Sequence, residues 1–180
     1  VSAAKDRDQI ESVKTEFQSL VEVKHVSRSQ SYPGVGTSSR NIVRDGSTGD
    51  GASILTTRAS HEILDVLGIK LLAGKTLPEN KNQKDTTIQV VINKSTSDYL
   101  GLSPEEVIGK RVKIQGFDAP TEVVGVTEDF HVTSLHQKIG PYCFHNSPTE
   151  GLTYLLVKVQ TQNLTSTVKQ LETIFKKTIP

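Results

Sequence analysis

The sequence predicts a mixed α+β fold with two lobes. Apolar residues recur at helical spacing near both ends of the chain, whereas the middle carries short β-branched segments bounded by turn residues. The predicted order is helix then strand at the start and strand then helix at the end, so the two terminal arms can pack together. We therefore expect residues 1–60 and 150–180 to form one discontinuous lobe and residues 61–149 to form a second, inserted lobe.

The composition is that of a globular domain. Of the 180 residues, 34% are hydrophobic and 23% are charged, which is sufficient for a core. Lys and Arg number 21 against 20 Asp and Glu, and the charges are scattered, so no basic surface for nucleic acid is expected.

Cys143 is the only cysteine, so no internal disulfide can form. No apolar run reaches the roughly 20 residues that cross a bilayer. Because the chain begins at Val1 instead of Met, we expect a segment of a longer protein.

The N-terminal arm is predicted to be an amphipathic helix followed by a strand. Over residues 6–20, four apolar side chains fall at helical spacing, namely Ile10, Val13, Phe17 and Leu20. The pattern then changes toward a period of two and predicts a strand that ends near Tyr32. Residues 33–51 are rich in Gly, Ser and Thr with few apolar positions, which predicts a long mobile loop.

A strand, a short helix and a second strand are predicted next. Residues 52–59 have the pattern of a strand, and Ser60 is the expected cap of a helix over residues 61–67. Gly68 is the expected C-terminal end of that helix. Residues 69–72 then return as a strand.

Two helix starts are predicted after a buried strand. Residues 88–92 are β-branched and nearly continuous, which is typical of a strand buried on both faces. Asn93 is the expected N-cap of a helix that ends at Gly101. Residues 103–106 form a capping box with proline at the first helical position, which predicts a further helix that Gly109 ends.

The remaining chain is predicted to be a hairpin, two strands and a closing helix. Residues 111–115 and 121–126 pair as the hairpin, residues 142–145 form a short strand, and residues 152–160 alternate as a longer one. Asn163 is the expected cap of the closing helix. One face of that helix is predicted to be lined by Leu164, Val168, Leu171 and Phe175.

The sequence argues against a nucleotide site and a calcium loop. Gly68 and the Gly74-Lys75-Thr76 sequence resemble a P-loop, which requires four residues between its glycines so that backbone N–H groups surround the phosphates. Here five residues separate the glycines, and they are apolar strand material. Residues 45–51 hold acids and glycines without the ligand order of a calcium loop. No cofactor is therefore expected.

Residues 125–141 are the first place to look for metal chemistry, because a strand runs there into acids and histidines. The candidate zinc ligands are Asp129, His131 and His136, with Glu128 or His145 as a fourth. Positions five apart on a helix lie about 140° apart, so convergence of the two histidines needs a bend. We expect loop histidines beside a carboxylate instead, and we predict no metal site.

Cys143 admits two interpretations. With a nearby histidine it can form the thiolate nucleophile of a cysteine hydrolase. It can also be a small buried hydrophobe in a short strand, as free cysteines usually are. No helix N-terminus or family signature surrounds it, so we expect the second interpretation and predict no catalytic residue.

The same segment also has a structural interpretation. Phe130 follows a buried strand directly, so we expect it to insert into the core and fix the direction of the next turn. Asp129 is expected to cap local backbone N–H groups, as aspartates do in turns. Ser134 and Gln137 have capping-box spacing for a following helical turn.

Five short motifs together resemble a known family. In chain order they are Leu67-Gly68-Ile69-Lys70-Leu71-Leu72-Ala73-Gly74-Lys75, Val90-Val91-Ile92-Asn93, Leu100-Gly101, Ile108-Gly109-Lys110-Arg111-Val112, and Val124-Gly125-Val126-Thr127-Glu128-Asp129-Phe130-His131 with Ser134-Leu135-His136. The chain is similar, from about the first helix to its end, to the periplasmic core domain of MacB-type, FtsX-like ABC transporter permeases.

The resemblance implies an extracytoplasmic domain inserted between the first two transmembrane helices of a permease. It implies a porter-like α/β lobe formed by the terminal segments and a smaller inserted α+β lobe. ATP hydrolysis is then expected on a separate cytoplasmic domain or subunit, not on this chain. The expected partners are the permease's own transmembrane helices, that ATPase, and a periplasmic adaptor or cargo protein.

Three functions follow as hypotheses. The leading one is a non-enzymatic periplasmic domain that couples ATP-driven motion to an external substrate or partner. The second is a soluble metal- or thiol-dependent hydrolase built on Asp129, His131, His136 and Cys143. The third is a periplasmic solute-binding module, which needs a closed apolar pocket.

Overall fold

The computed structural model describes residues 3–33, 35, 37–43, 51–79, 87–131, 138–148 and 151–179. Helices and strands are mixed along this part of the chain, which confirms the predicted α+β class. The elements, in chain order, are α1 (Ala3–Gln18), β1 (Val23–Ser29), β2 (Ser38–Val43), β3 (Ala52–Arg58), α2 (Ile63–Leu67), β4 (Leu71–Gly74), β5 (Ile88–Asn93), α3 (Lys94–Leu100), β6 (Arg111–Ile114), β7 (Thr121–Thr127), β8 (Tyr142–His145), β9 (Tyr154–Val159) and α4 (Leu164–Thr178). Within the described residues, no helix has both the length and the hydrophobicity that a membrane crossing requires.

The larger sheet has seven strands and closes on itself. Its order is β4-β7-β5-β8-β3-β2-β6, and an additional pairing between β6 and β7 joins its far end back to β7. Six strands therefore form a ring, with β4 attached to β7. β6 and β7 pair antiparallel through Arg111↔Glu122 and Val112↔Thr121, which confirms the predicted hairpin.

One hydrophobic core lies inside this ring, because it draws buried side chains from all six strands of the ring. Its members include Ile42 on β2, Ile54 on β3, Ile92 on β5, Ile114 on β6, Val123 on β7 and Cys143 on β8. Burying an aliphatic side chain stabilises a fold by roughly 1.5–3 kcal/mol. β5 is buried along nearly its whole length, as its continuous apolar pattern predicted.

A second core, which we call the outer core to distinguish it from the inner core inside the ring, covers the outer face of β5, β7 and β8. The strand residues Val91, Val124 and Phe144 are buried there against Ile63 and Leu64 of α2. α2 is short, but both of these side chains are almost fully buried, at 1% and 4% exposure. The helix is therefore fixed to the sheet by its apolar side.

A close approach between β4 and β7 explains two glycines of the sequence motifs. Gly74 and Gly125 are register partners in this antiparallel pair. A Cβ atom at Gly125 would lie 2.1 Å from the Lys75 carbonyl oxygen, and one at Gly74 would lie 2.3 Å from the Val124 carbonyl oxygen. The two backbones can approach this closely only where neither residue has a side chain.

The first and last elements pack together into what we call the terminal unit, formed by α1, β1, β9 and α4. β1 and β9 pair antiparallel, with Val26 opposite Val157, in a sheet of two strands. Val13 and Phe17 of α1 are buried against these strands and against Leu171 of α4, in a cluster that we call the terminal core. The predicted helical face of the N-terminal arm is therefore the buried one.

The predicted loop over residues 33–51 is wrong in part, because it contains β2. This strand pairs with β3 from Ser38↔Thr56 to Ile42↔Ala52 and with β6 at Ile42↔Ile114. Its sequence is mostly polar, and Ile42 is its one fully buried residue. The strand thus exists because neighbours supply hydrogen bonds on both sides, not because of an apolar alternation that sequence reveals. The candidate calcium segment, residues 45–51, lies outside the described residues except for Gly51.

Ser60 does not cap α2 with its side chain, so that prediction is wrong. Glu62 occupies the N-cap position and makes no capping hydrogen bond with its side chain. The Ser60 hydroxyl instead accepts a hydrogen bond from the backbone nitrogen of Arg28 over 3.0 Å. Gly68 does end the helix, with the left-handed conformation (φ 72°) that the prediction required.

The predicted capping box at Ser103 forms, but no α-helix follows it. Ser103 N donates to Glu106 Oε2 over 2.9 Å, and Glu106 N donates to Ser103 Oγ over 3.3 Å. Residues 104–109 then form turns and end at Gly109, which has φ 76°. A helix nucleus is unfavourable until further turns extend it. Gly109 comes too early for that extension.

The predicted apolar face of α4 is only partly buried. Leu171 and Ile174 pack against α1, β1 and β9. The other three residues of the predicted face remain 59%, 42% and 44% exposed, namely Leu164, Val168 and Phe175. They lie on the adjacent arc of the helix, where the described elements do not cover them.

Candidate functional site

Asn93 is the centre of a hydrogen-bonded junction that joins three elements. It ends β5 and caps α3, because its Oδ1 accepts from Thr96 N over 3.1 Å. The same oxygen accepts from Tyr142 N at the start of β8 over 3.0 Å. Its Nδ2 donates to Asp129 Oδ1 over 2.8 Å and to the Gly140 carbonyl over 3.0 Å. The side chain is 1% exposed and every one of its polar atoms is bonded, so it is a structural hub.

Asp129 lies where sequence reasoning placed a candidate ligand, but its carboxylate binds the start of α3. Oδ1 accepts from Ser95 N over 2.9 Å, and Oδ2 accepts from Ser95 Oγ over 2.8 Å. An acid at a helix N-terminus is stabilised by the unpaired N–H groups there. Asp129 therefore does cap backbone, but that of a helix 34 residues earlier and not the local turn that was predicted.

Phe130 packs into the outer core, in the position expected of an anchor. Its ring lies 5.1 Å from that of Tyr142 and 5.7 Å from that of Phe144. The Tyr142 hydroxyl donates to Thr57 Oγ1 over 2.6 Å. Burial raises the pKa of Tyr142, which keeps the phenol neutral. The aromatic contacts fix the direction in which the chain leaves β7.

The described candidates among the zinc ligands do not form a metal site. His131 is exposed, Asp129 is occupied by Asn93 and Ser95, and His136 lies outside the described residues, as do Ser134 and Gln137. Within the described part of the chain, no group of three or more His, Cys, Asp or Glu side chains has an arrangement that could hold a metal ion. The prediction of no metal site stays a prediction because His136 is not described.

Cys143 and His145 are both buried in the ring. Cys143 has no exposed surface and contributes to the inner core, so it is the small hydrophobe that was expected. His145 is fully buried too, and its Nδ1 accepts from Ser147 N over 3.2 Å. Burial, together with the charges of Arg40 and Arg58, lowers the pKa of His145 to about 3. A neutral, packed imidazole has no access to a substrate.

The residues that resemble a P-loop are engaged in other hydrogen bonds. Gly74 ends β4, Lys75 N donates to the Val124 carbonyl over 2.9 Å, and the Thr76 hydroxyl donates to the His61 carbonyl over 2.7 Å. These groups do not form a loop of free N–H donors. The segment is a strand end, as its apolar sequence indicated.

An open groove of about 410 Å³ runs along the β6–β7 hairpin. Its lining residues include Val112, Ile114 and Phe117, but also the exposed Arg111 and Lys113. A solute-binding module needs a closed pocket that is largely apolar. The groove is open and flanked by charge, so it does not favour that function.

A polar contact between the terminal unit and the sheet lies at the start of α2. Lys14 Nζ of α1 forms an ion pair with Glu62 Oε1. Glu62 Oε2 accepts from Ser60 Oγ over 2.9 Å and lies 3.2 Å from His61 Nδ1. Burial opposes ionisation of Glu62, but the hydrogen bonds from Lys14 and Ser60 outweigh it and lower its pKa. The carboxylate is therefore held charged beside Lys14.

Other contacts continue this interface along β1 and β9. Ser60 N donates to the Arg28 carbonyl over 2.9 Å, and Ser29 forms an isolated bridge with Ala59. Lys158 Nζ donates to the Asp65 carbonyl over 2.8 Å. Leu156 of β9 packs against the outer core. Sequence reasoning missed this interface, because its partners are far apart in the chain and lack a local pattern.

Comparison with known proteins identifies the family. The sequence model of the family described as MacB-like periplasmic core domain matches residues 3–174. No curated protein sequence gives a significant match.

Solved structures share the fold at low sequence identity. The periplasmic region of MacB from Actinobacillus actinomycetemcomitans is 20% identical, covers 93% of this chain and 72% of its own, and has a TM-score of 0.61. The extracellular domain of the noncanonic ABC-type transporter YknZ from Gram-positive bacteria is 16% identical, with 89% and 76% covered and a TM-score of 0.57. A domain of a permease protein from Porphyromonas gingivalis is 19% identical, with 91% and 74% covered and a TM-score of 0.56.

The family match spans nearly the whole chain and agrees with the resemblance that the five motifs carried. The family is that of a periplasmic domain of a transporter permease, not of an enzyme. The chain therefore belongs to the MacB-like periplasmic core domains of ABC transporter permeases.

Proposed function

We propose that this domain couples ATP-driven motion of the permease's transmembrane helices to an external substrate or partner protein. The single observation that carries the proposal is that the first and last elements, α1 and α4, pack into one unit with β1 and β9. A displacement applied at both ends of the domain then acts on one packed body.

The two-lobe division is part of the same proposal. The terminal unit has its own core around Val13, Phe17 and Val26, separate from the two cores of the larger sheet. β2 and β3 pair within that larger sheet, which favours lobe boundaries near residues 30 and 153 over the predicted 60 and 150. We call residues 38–148 the central unit. A contact of Ser60 with β1 and a contact of α2 with β9 join it to the terminal unit.

The proposed partners follow from the family. The transmembrane helices of the full permease and a cytoplasmic ATPase on a separate domain or subunit supply the motion. A periplasmic adaptor or a cargo protein receives it on the outside. No residue of this chain takes part in chemistry under this proposal, so catalytic, cofactor and metal residues are all proposed to be none.

The experiment uses the full-length permease assembled with its ATPase in a lipid bilayer. Spin labels are placed at Ser166→Cys in α4 and Asp118→Cys in the central unit, with Cys143→Ala to remove the native thiol. Both positions are exposed. The distance distribution between labels is expected to shift on adding ATP. A matched pair within the central unit, Glu105→Cys with Lys70→Cys, is expected to stay unchanged. An unchanged distance for the first pair through the ATP cycle would refute the proposal.

A further inference from the structure

Glu62 joins three elements through one carboxylate group. Oε1 forms the ion pair with Lys14 of α1, and Oε2 accepts a hydrogen bond from the hydroxyl of Ser60. That hydroxyl also lies 2.9 Å from Ser27 Oγ and accepts from Arg28 N, both on β1. The Lys14 and Glu62 side chains are each only 13% exposed. The arrangement is an enclosed polar contact, not a solvated surface ion pair.

α2 connects this carboxylate rigidly to the central sheet. Glu62 immediately precedes Ile63 and Leu64, which are buried against the outer core. The helix is only five residues long and ends in the fixed left-handed turn at Gly68. A displacement of Glu62 therefore moves the side chains that pack on β5, β7 and β8.

The Lys14–Glu62 ion pair is better suited to coupling the two units than to stabilising the fold. A buried ion pair gains little net free energy, because desolvation of both charges offsets their attraction. The ion pair does fix the position of α1 relative to α2, because the Lys14 cation is paired only where the Glu62 carboxylate lies. Interfaces between domains that move are typically more polar than permanent ones. Leu156 of β9 packs against the outer core of the central unit, so the ion pair is not needed merely to hold the units together.

We infer that the Lys14–Glu62 contact is the coupling point through which movement of α1 turns α2 and the central unit with it. The inference rests on the proposed function and names the residues that perform it. Glu62 is a positioning residue under this inference, because it acts through α2.

The isolated domain provides the first test. In the Cys143→Ala background with labels at residues 118 and 166, Glu62→Gln is expected to widen the distance distribution at least twofold. Lys14→Met, which keeps the alkyl stem and removes the cation, is expected to do the same and serves if Glu62→Gln fails to fold. The reversed pair Lys14→Glu with Glu62→Lys is expected to restore the narrow distribution.

The matched control is Glu11→Gln. Glu11 Oε1 accepts from Arg28 Nη1 over 3.0 Å, but this pair joins α1 to β1 within the terminal unit. Its removal is expected to leave the distribution as narrow as in the parent domain. A narrow distribution in both Glu62→Gln and Lys14→Met would overturn the inference, and so would an equally wide one in Glu11→Gln.

The full-length permease separates failure of the inference from failure of the proposed function. If ATP shifts the distance in the parent and the Glu62→Gln permease shifts equally, coupling through Glu62 is overturned while the proposed function stands. If ATP shifts neither protein but the isolated variants behave as expected, the proposed function fails and only the contact is supported. Loss of the shift in Glu62→Gln alone supports both.

Discussion

Gly74 and Gly125 lie opposite each other in the β4–β7 pair, and neither position has room for a Cβ atom beside the facing backbone. At Gly125, that atom would lie 2.1 Å from the Lys75 carbonyl oxygen, which is a backbone atom and cannot swing aside. The close approach attaches β4 to the ring.

Gly125→Ala is therefore expected to destabilise the domain by about 2–4 kcal/mol, since β4 must move or β7 must bend. Gly140→Ala is the control, because a Cβ atom there meets nothing within 4 Å. The free energy of unfolding in urea measures both. Equal stability of the two variants would show that β4 does not approach β7 as described.

Asn93→Ala is expected to cost about 2–4 kcal/mol of unfolding free energy. The substitution removes a helix cap, worth about 1 kcal/mol. It also removes the side-chain partners of Gly140, Asp129 and Tyr142 N in a buried site, where lost partners cost more. Asn163→Ala is the matched control, because Asn163 caps α4 through Ser166 N at an exposed position. It should cost about 1 kcal/mol. Similar losses for both would argue against a hub at Asn93.

His145 makes the domain less stable as the pH falls. Its pKa in the folded state lies near 3, below its ordinary value of 6.5, so the unfolded chain binds a proton that the folded domain does not. Stability should fall between about pH 6.5 and 3 by about 1.4 kcal/mol per pH unit from this group. His145→Gln is expected to remove this slope in urea unfolding measured at several pH values. The exposed His131→Gln should retain it. A parent-like slope in His145→Gln would contradict the assignment.

Glu62 contributes to the stability of the domain in a lower pH range than His145 does. Its folded pKa lies below the ordinary 4.5, so its stabilising contribution is present above that value and is lost as the pH falls through the folded pKa. Lys14 and His61 are the ionisable groups that face it. The parent domain should therefore lose more stability than Glu62→Gln between pH 5 and 3. Parallel pH profiles for the two proteins would rule out the lowered pKa.

Two residues of the predicted apolar face of α4, Leu171 and Leu164, are expected to respond differently to substitution. Leu171→Ala removes a side chain packed in the terminal core and should cost about 2 kcal/mol or more. Leu164→Ala changes a side chain that is 59% exposed and should alter stability by less than about 0.5 kcal/mol. Thermal unfolding of both variants checks the orientation of the helix. A large loss at Leu164 would mean that this end of the predicted face is buried as well.

Sequence reasoning was most successful where a local rule determines the structure. Asn93 and Asn163 cap their helices, and Gly68 and Gly101 end theirs in the left-handed region. These outcomes depend on the residue and its nearest neighbours, which the sequence displays directly. The strand over residues 142–145 was predicted on the same basis.

Features that depend on distant partners were missed. β2 is polar and becomes a strand only between β3 and β6. Lys14 has the spacing of a solvated helix position, yet it pairs with Glu62, 48 residues away. The capping box at Ser103 shows the converse. It forms as predicted, but Gly109 ends the segment before an α-helix can extend from it. In the candidate site, the residue types of Asp129 and Cys143 suggested chemistry, whereas the hydrogen bonds of Asp129 and the burial of Cys143 make them structural.

Closure of the ring by the β6–β7 pairing determines which strand edges of the domain are open to other molecules. Each of the six ring strands has a hydrogen-bonded neighbour on both sides, so the ring offers no open strand onto which another molecule could add its own. Open strands are the usual starting point of intermolecular sheet growth. The ring strands are thereby protected from pairing with other copies, and among the described strands β4, β1 and β9 are the ones that keep an edge without a strand partner.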